Sequence, residues 1–477
     1  MTFSEVPGPD VQDRAGHIRR RSILGPPPAS FAQEELWLFE SLRPGTPAYI
    51  MSVVVRLTGA LDVVILSQAL NEILRRHESL RTTFAAGATG PVQIINSPSP
   101  AVVEIDRVAK VPVDELGRHE LLRECAVGAS AQPFNLSCGP LLRVRILELD
   151  SHDRALLVTM HHAVADAHSV NLFLLELETL YRDLRAGQPP SAPDLPIQYA
   201  DFAVWQRDRM GQPWAERELA YWKHQLSGAP PLLEIPTDRP RGAVQRLRAA
   251  HQDVSLPQSL VLAARALARA EGCTGFVILL AAFFVLLWRY SGQRDVVVGS
   301  PLDGRIHDDL KSLIGLFVNV VALRVELSGH LTFRDVVQRT HQTVLAARAH
   351  QELPFQRVVR ALAPGRSLSH APLVQVVFGK VRSMPSSTTP DGELTFTRMR
   401  IGPSAAGWTT LWVSMTDAGD NVTGRWGYDS DLFNRATVTR MAGHYEELLR
   451  CAIQDPERRI TNLTMLSAGE RTGLVPQ

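Results

Sequence analysis

Met160-His161-His162-Ala163-Val164-Ala165-Asp166-Ala167-His168-Ser169 joins two stretches of different hydrophobic period. Before it, Arg154 to Met160 (RALLVTM) is a short apolar run of the kind that forms a buried strand. After it, Val170, Phe173, Leu174, Leu177, Leu180, Tyr181 and Leu184 recur at the three-and-four spacing of an amphipathic helix, with Gly187 as its stop. The decapeptide is therefore a strand-to-helix junction. Successive strand residues point to opposite faces, so only one of His161 and His162 can look into a given site. Imidazole is the side chain whose ordinary pKa leaves it neutral and proton-accepting near pH 7. Asp166, at the helix start, is placed to cap the helix, to orient an imidazole or to pair with an arginine. A partly buried polar patch is the bland alternative for a lone His-His pair. His161, His162, Asp166 and His168 are all possible zinc ligands, but the opposed strand faces and the lack of a spaced His-x-His or His-x-x-x-His pair disfavour a metal. No Gly-x-Ser-x-Gly elbow, Walker loop or dinucleotide fingerprint stands near a strand-to-helix junction, which removes support for serine-triad hydrolysis and nucleotide chemistry.

Upstream, Leu141 to Asp150 and Arg154 to Met160 flank Ser-His-Asp and read as a hairpin, and Asp62 reads as the cap of a helix running to Arg76. Downstream, Gly187 to Pro196 (GQPPSAPDLP) holds four prolines and reads as a break between lobes. Beyond two tryptophan-bearing segments the grammar repeats. Helix Ser259 to Glu271, a buried helix from Thr274, strands DVVVGS and VNVVALRVEL, helix Phe333 to His350 and a closing helix near Asn434 to Ala452 follow in turn. A length of 477 residues gives a prior of about three domains, but two lobes of mixed helix and sheet, an α+β class, are the economical reading. The expected division is a loosely ordered leader (1–28), an N-terminal lobe (29–190), a linker (191–230), a C-terminal lobe (231–460) and a tail (461–477). Arg19 to Arg21, the one short basic cluster, is expected to be a solvated part of the leader.

Composition narrows the function. Hydrophobic residues make 45% and charged residues 21%, which is globular, and 50 basic against 49 acidic residues leave a net charge of +1. That balance argues against gripping nucleic acid through its backbone. Cys125, Cys138, Cys273 and Cys451 stand far apart with no Cys-x-x-Cys pair, so neither a zinc ribbon nor a redox motif is written, and a reduced, cytoplasmic protein is expected. No apolar signal opens the chain. Gly275 to Trp288 is uncharged over 14 residues, short of the roughly 20 that a span requires, and reads as a core helix.

The junction resembles the His-His-x-x-x-Asp-Gly signature of condensation domains of nonribosomal peptide synthetases. The resemblance extends in order and spacing through SFAQEELW (Ser30 to Trp37), RRHESLRTTF (Arg75 to Phe84), YADFAVW (Tyr199 to Trp205), IGLFVNVVALR (Ile314 to Arg324), HQELPFQRVV (His350 to Val359) and SLSHAPLVQ (Ser367 to Gln375). It covers about Ser30 to Asp455. It implies two lobes, each like a chloramphenicol acetyltransferase subunit, forming a V around a central tunnel. It further implies an acyltransferase of antibiotic-type secondary metabolism that joins a thioester donor, borne on a carrier protein's phosphopantetheine arm, to an amine acceptor. The catalytic position falls on His162. His161, Asp166, Ala167, Arg305 and Asn319 support it, with Arg305 the preferred partner of Asp166 over Arg76 or Arg81. No resident cofactor or metal is implied. Partners would be donor and possibly acceptor carrier proteins, and the tail resembles a linker to an adenylation domain. Two departures stand out: Ala167 replaces the signature glycine, and His168 the usual aromatic residue. The added methyl is expected to narrow the tunnel or to exclude a positive φ. Alternatives are ester formation with a hydroxyl, a free small-molecule acceptor, or a non-catalytic module that recruits a partner.

Overall fold

The structure, a computed structural model, describes residues 17–23, 25–108, 114–362, 367–382, 387–389, 392–399, 408–417, 419, 421–466 and 469–470. Two six-stranded mixed sheets organise it. In the first, the Asp153–His161 strand lies between Ile50–Gly59 and Leu142–Glu148, antiparallel to both. Nearly all of its residues are buried, which is why its sequence is a continuous apolar run rather than an alternating one. The helices Val63–Arg76 and Ala167–Arg185 pack together on this sheet, and Leu66, Leu70, Ile73, Phe173, Leu177 and Leu180 fill the layer between. Asp62 caps the first of these helices by accepting from the amides of Val64 and Ile65 at 2.8 and 3.1 Å.

The second sheet runs Ala249–Leu256, Val422–Asp429, Leu411–Asp417, Val376–Arg382, Asp295–Leu302, Asn319–Glu326. Its core is built on the Gly275–Ser291 helix, where every residue from Val277 to Leu287 is buried. A helix enclosed on all sides can be apolar all round, and this one stops at Gly292 in the left-handed conformation (φ 69°). Among the described residues no single helix is long and apolar enough to cross a membrane.

Two expectations about organisation change. The strands Ser387–Thr388 and Leu394–Met399, placed by sequence in the 231–460 lobe, extend the first sheet, with Leu394–Met399 antiparallel to Ile50–Gly59. The open edge of Ile50–Gly59 has unpaired N–H and C=O groups, and this segment satisfies them. The leader, expected to be loose over 1–28, is docked where it is described. Ile18 is buried, Arg20 donates to the carbonyl oxygens of Leu195 and Pro196, and Arg21 pairs with Glu78 and Asp201. Arg20 and Arg21 thus tie the leader to the segment 195–201, while Arg19 and Arg20 remain exposed. Residues 1–16 and 24 of the leader, and 467–468 and 471–477 of the tail, lie outside the described residues.

A third apolar core joins the halves. Ala163 and Val164 from the His-His turn, Tyr199 and Phe202 from the helix Tyr199–Arg209, and Leu310, Leu313, Leu316 and Phe317 from the loop 303–318 are buried together. The loop belongs by sequence to the second half and packs against the first. This places the His-His turn at the junction.

Candidate active site

The strand register positions the two histidines. Ile50 pairs with His161, and one residue further the His162 amide donates to the Tyr49 carbonyl at 2.8 Å, where the chain leaves the sheet. His161, the last strand residue, is buried edge-on to Phe134. Its Nδ1 accepts the Ala163 amide at 3.0 Å, which requires that nitrogen to be unprotonated. Burial, with neighbouring His162 adding to it, pushes the His161 pKa down to about 3. His161 is a neutral structural imidazole. His162 is half-buried and differently placed: its Nδ1 is shut off from solvent and has no hydrogen-bond partner. Burial lowers its pKa, partly offset by the Asp166 carboxylate and by the backbone of His162 and Ala165. A neutral, uncommitted imidazole can accept a proton or a hydrogen bond from a bound molecule.

Asp166 caps the Ala167–Arg185 helix, taking the Ser169 amide on Oδ1 at 2.8 Å. The same carboxylate makes a two-point pair with Arg305, Nη1 to Oδ2 at 2.9 Å and Nη2 to Oδ1 at 3.1 Å, and accepts the Phe317 amide at 3.0 Å. Arg305 also donates to Leu313 O and Asp303, and lies over the Phe317 ring at 4.3 Å. The pair is buried on both sides, and it ties the helix start in one half to the loop 303–317 in the other. Arg76 and Arg81 are engaged elsewhere, Arg76 by Glu176 and the carbonyls of Ala192 and Pro193, Arg81 by the carbonyls of Leu74 and Asn96.

Ala167 is exposed and begins the helix; it is not among the residues with positive φ, so its methyl imposes no backbone strain. Its amide and that of His168 belong to the first helical turn, where N–H groups have no intrahelical acceptor. Asn319 donates to the carbonyls of Gln351 and Leu353 at 2.8 Å each and accepts the Phe355 amide at 3.0 Å, so its side chain holds a turn of backbone. It also lines a cleft at the junction with Ala32, Trp205, Arg209, Glu352 and Gln356. His162 is not in the wall of that cleft. No group of three or more His, Cys, Asp or Glu able to hold a metal occurs among the described residues.

Three contributors had no clear sequence signal. Ser169 Oγ lies 2.8 Å from Asp166 Oδ1 and from Gly315 O, and accepts from the Gly315 amide. Gly315 is required because a Cβ there would sit 2.0 Å from the Tyr199 ring. Tyr49 holds φ 64°, unusual for a bulky residue and placed directly against His162.

Two mixed sheets joined at a paired-histidine turn define an acyltransferase scaffold of the chloramphenicol acetyltransferase kind. The chain belongs to the condensation domain family, whose model matches residues 25–475. Condensation domains are acyltransferases that form amide bonds in nonribosomal peptide synthesis. Over 93% of its length the chain is 42% identical to a linear gramicidin synthase of Brevibacillus parabrevis, of which it spans 6%. Over 94% it is 39% identical to chondramide synthase cmdD of Chondromyces crocatus, of which it spans 11%. The X-domain from teicoplanin biosynthesis superposes with a TM-score of 0.85 at 28% identity, over 94% of this chain and 100% of that one.

Proposed function

We propose that this chain joins an acyl or aminoacyl thioester, presented on the phosphopantetheine arm of a carrier protein, to an amine acceptor, with His162 as the catalytic residue. The observation that carries this is the half-buried His162 imidazole at the junction of the halves, whose pKa burial lowers and whose Nδ1 has no hydrogen-bond partner. A thioester is already activated, so the protein has to align donor and acceptor and exclude water. The amine nitrogen attacks the thioester carbonyl carbon while His162 holds its N–H and takes the proton. The C–S bond then breaks, the amide is released, and the proton passes to the departing carrier thiolate. The N–H groups at the start of the Ala167–Arg185 helix are suited to the developing oxyanion. Asp166, Arg305 and His161 position the turn and do not touch substrate. The reading includes a V of two lobes around a tunnel, carrier proteins as partners and an adenylation domain as neighbour.

The X-domain of teicoplanin biosynthesis is also known in a complex with OxyB, and that observation supports a second reading, a module that recruits a partner and does no chemistry. One experiment separates the two. Purified protein mixed with acyl-loaded carrier and a panel of amines, followed by intact mass, is expected to give amide, and His162→Ala to remove most of it. Turnover that is unchanged in that variant overturns the assignment of His162; no product with any donor favours recruitment.

A further inference from the structure

Asp166 and His168 stand two residues apart at the start of the Ala167–Arg185 helix, and Asp303 and Arg305 stand two residues apart on the loop 303–318. The four side chains interlock. Arg305 Nη1 donates to Asp166 Oδ2 at 2.9 Å and to Asp303 Oδ1 at 2.6 Å, and the other oxygen of Asp303 lies 3.2 Å from His168 Nδ1. His168 is therefore the last member of a chain, carboxylate, guanidinium, carboxylate, imidazole, that begins and ends on one helix start and passes through the opposite half.

The second ring nitrogen decides which form of His168 completes the chain. Its Nε2 faces the carbonyl oxygen of Lys311 at 3.3 Å. A carboxylate and a carbonyl both accept and neither donates, whereas a neutral imidazole has a single N–H. Only the imidazolium makes both contacts at once, and only that form balances the two carboxylates of the chain against Arg305. Burial works against the charge on Asp303, yet the hydrogen bond from His168 and the Arg305 guanidinium hold its carboxyl below the ordinary range. The charged groups around His168 are Asp166 on its own helix and Asp303, Arg305 and Lys311 on the loop; the Lys311 ammonium pairs with Asp308 at 2.6 Å. Asp166 and Arg305 are buried, but the side chains of His168 and Asp303 are 34% and 51% exposed, so the outer pair is the one that exchanges protons with solvent.

We infer that His168 is a positioning residue, whose imidazolium clasps the loop 303–318 to the helix start beside His162 and whose deprotonation lets that clasp go. The loop carries Arg305 and Phe317, both partners of Asp166, so its docking bears on the turn that aims His162. The effect on turnover rests on the condensation reading; the clasp itself does not.

The test is hydrogen exchange by mass spectrometry on peptides covering 303–311, corrected for intrinsic exchange, at about pH 6 and about pH 8.5, which bracket the range where imidazoles titrate. Wild type, His168→Arg, which keeps a charged donor at both values, and His168→Gln, which is neutral at both, are compared. Protection in the wild type is expected to fall about fivefold with the rise in pH, the upper scale for a partly exposed ion pair. His168→Arg should hold its protection, and His168→Gln should be low throughout. Equal protection of the wild type at both pH values overturns the inference, and so does an alkaline loss of the same size in His168→Arg or in His168→Gln. Turnover is scored separately, by intact mass with acyl-loaded carrier and amine, as the ratio of wild type to His168→Arg, which cancels the ionisation of the amine and of His162. A ratio that falls about fivefold over the same range supports the positioning role, and a constant ratio overturns it. No amide from any donor sinks the condensation reading, and the exchange result then still decides the clasp.

Discussion

Replacing Arg305 with leucine removes both guanidinium contacts from a carboxylate that is itself buried, and leaves Asp166 with the Ser169 and Phe317 donors alone. Stranding one member of a buried ion pair costs about 3–5 kcal/mol. Here the cost falls on the docking of the loop 303–317, because Arg305 and Phe317 are on that loop and Asp166 is not. The assay is hydrogen exchange at the Phe317 amide, which donates to Asp166 Oδ2 at 3.0 Å and exchanges only when the loop opens. Converted to an opening equilibrium, the loss is a rise in exchange of between roughly a hundredfold and a few thousandfold. The reciprocal change is milder. In Asp166→Asn the guanidinium keeps Asp303 at 2.6 Å and Leu313 O at 3.1 Å, and Asp303 is half in solvent, so the charge is never isolated. The double variant Asp166→Asn/Arg305→Leu buries no charge and is expected to exchange more slowly than Arg305→Leu alone. An increase below about tenfold in Arg305→Leu, or a double variant as open as the sum of the singles, would refute the reasoning.

His161 predicts acid lability. Its folded pKa of about 3 lies below the ordinary 6.5, so on acidification through that window the unfolded chain binds a proton the folded chain refuses. Stability therefore falls as pH falls, by about 1.4 kcal/mol per pH unit from this group, and His161→Asn, which can still accept the Ala163 amide, should flatten the slope by one proton in denaturant unfolding measured from pH 7 to pH 4. An identical slope in the variant would count against a neutral buried His161. Gly315→Ala should drive its methyl into Tyr199, whose hydroxyl donates to Leu316 O and lies within hydrogen-bond distance of Ser30 Oγ, both at 2.8 Å, and lower stability by about 1–3 kcal/mol. Thermal unfolding reads the loss, and a melting temperature equal to wild type would show that the ring has room to move.

What was legible in the sequence was local. The Asp153–His161 strand and the Ala167–Arg185 helix declare themselves through periods that depend only on neighbours along the chain, and Asp62 and Asp166 cap because a short carboxylate reaches amides two or three residues on. The divergence of His161 and His162 also follows from strand geometry. Contacts across great sequence distance were less open to reading. Nothing in LTFTRM says that it will leave its own half to pair with Ile50–Gly59; that depends on an edge exposed some 340 residues earlier in the chain. Arg20 and Arg21 look like a free basic tail until residues 195 to 201 arrive to accept them. Tyr49 carries no mark of its left-handed backbone, since only glycine or asparagine would announce one.

The residue proposed to carry the chemistry is thus specified by a strand end, while its surroundings are specified by the opposite half of the molecule. Asp166, Ser169 and His168 on one helix start meet Arg305, Gly315, Asp303 and Lys311 on one loop, through paired charges, a shared hydroxyl and an imidazole with both ring nitrogens facing oxygen atoms. Each of these contacts fails if the loop shifts by an ångström, because hydrogen-bond geometry is steep where apolar packing is forgiving. Apolar burial alone would join the halves in many relative positions; the buried polar set at the helix start selects one of them, and with it the direction in which His162 faces.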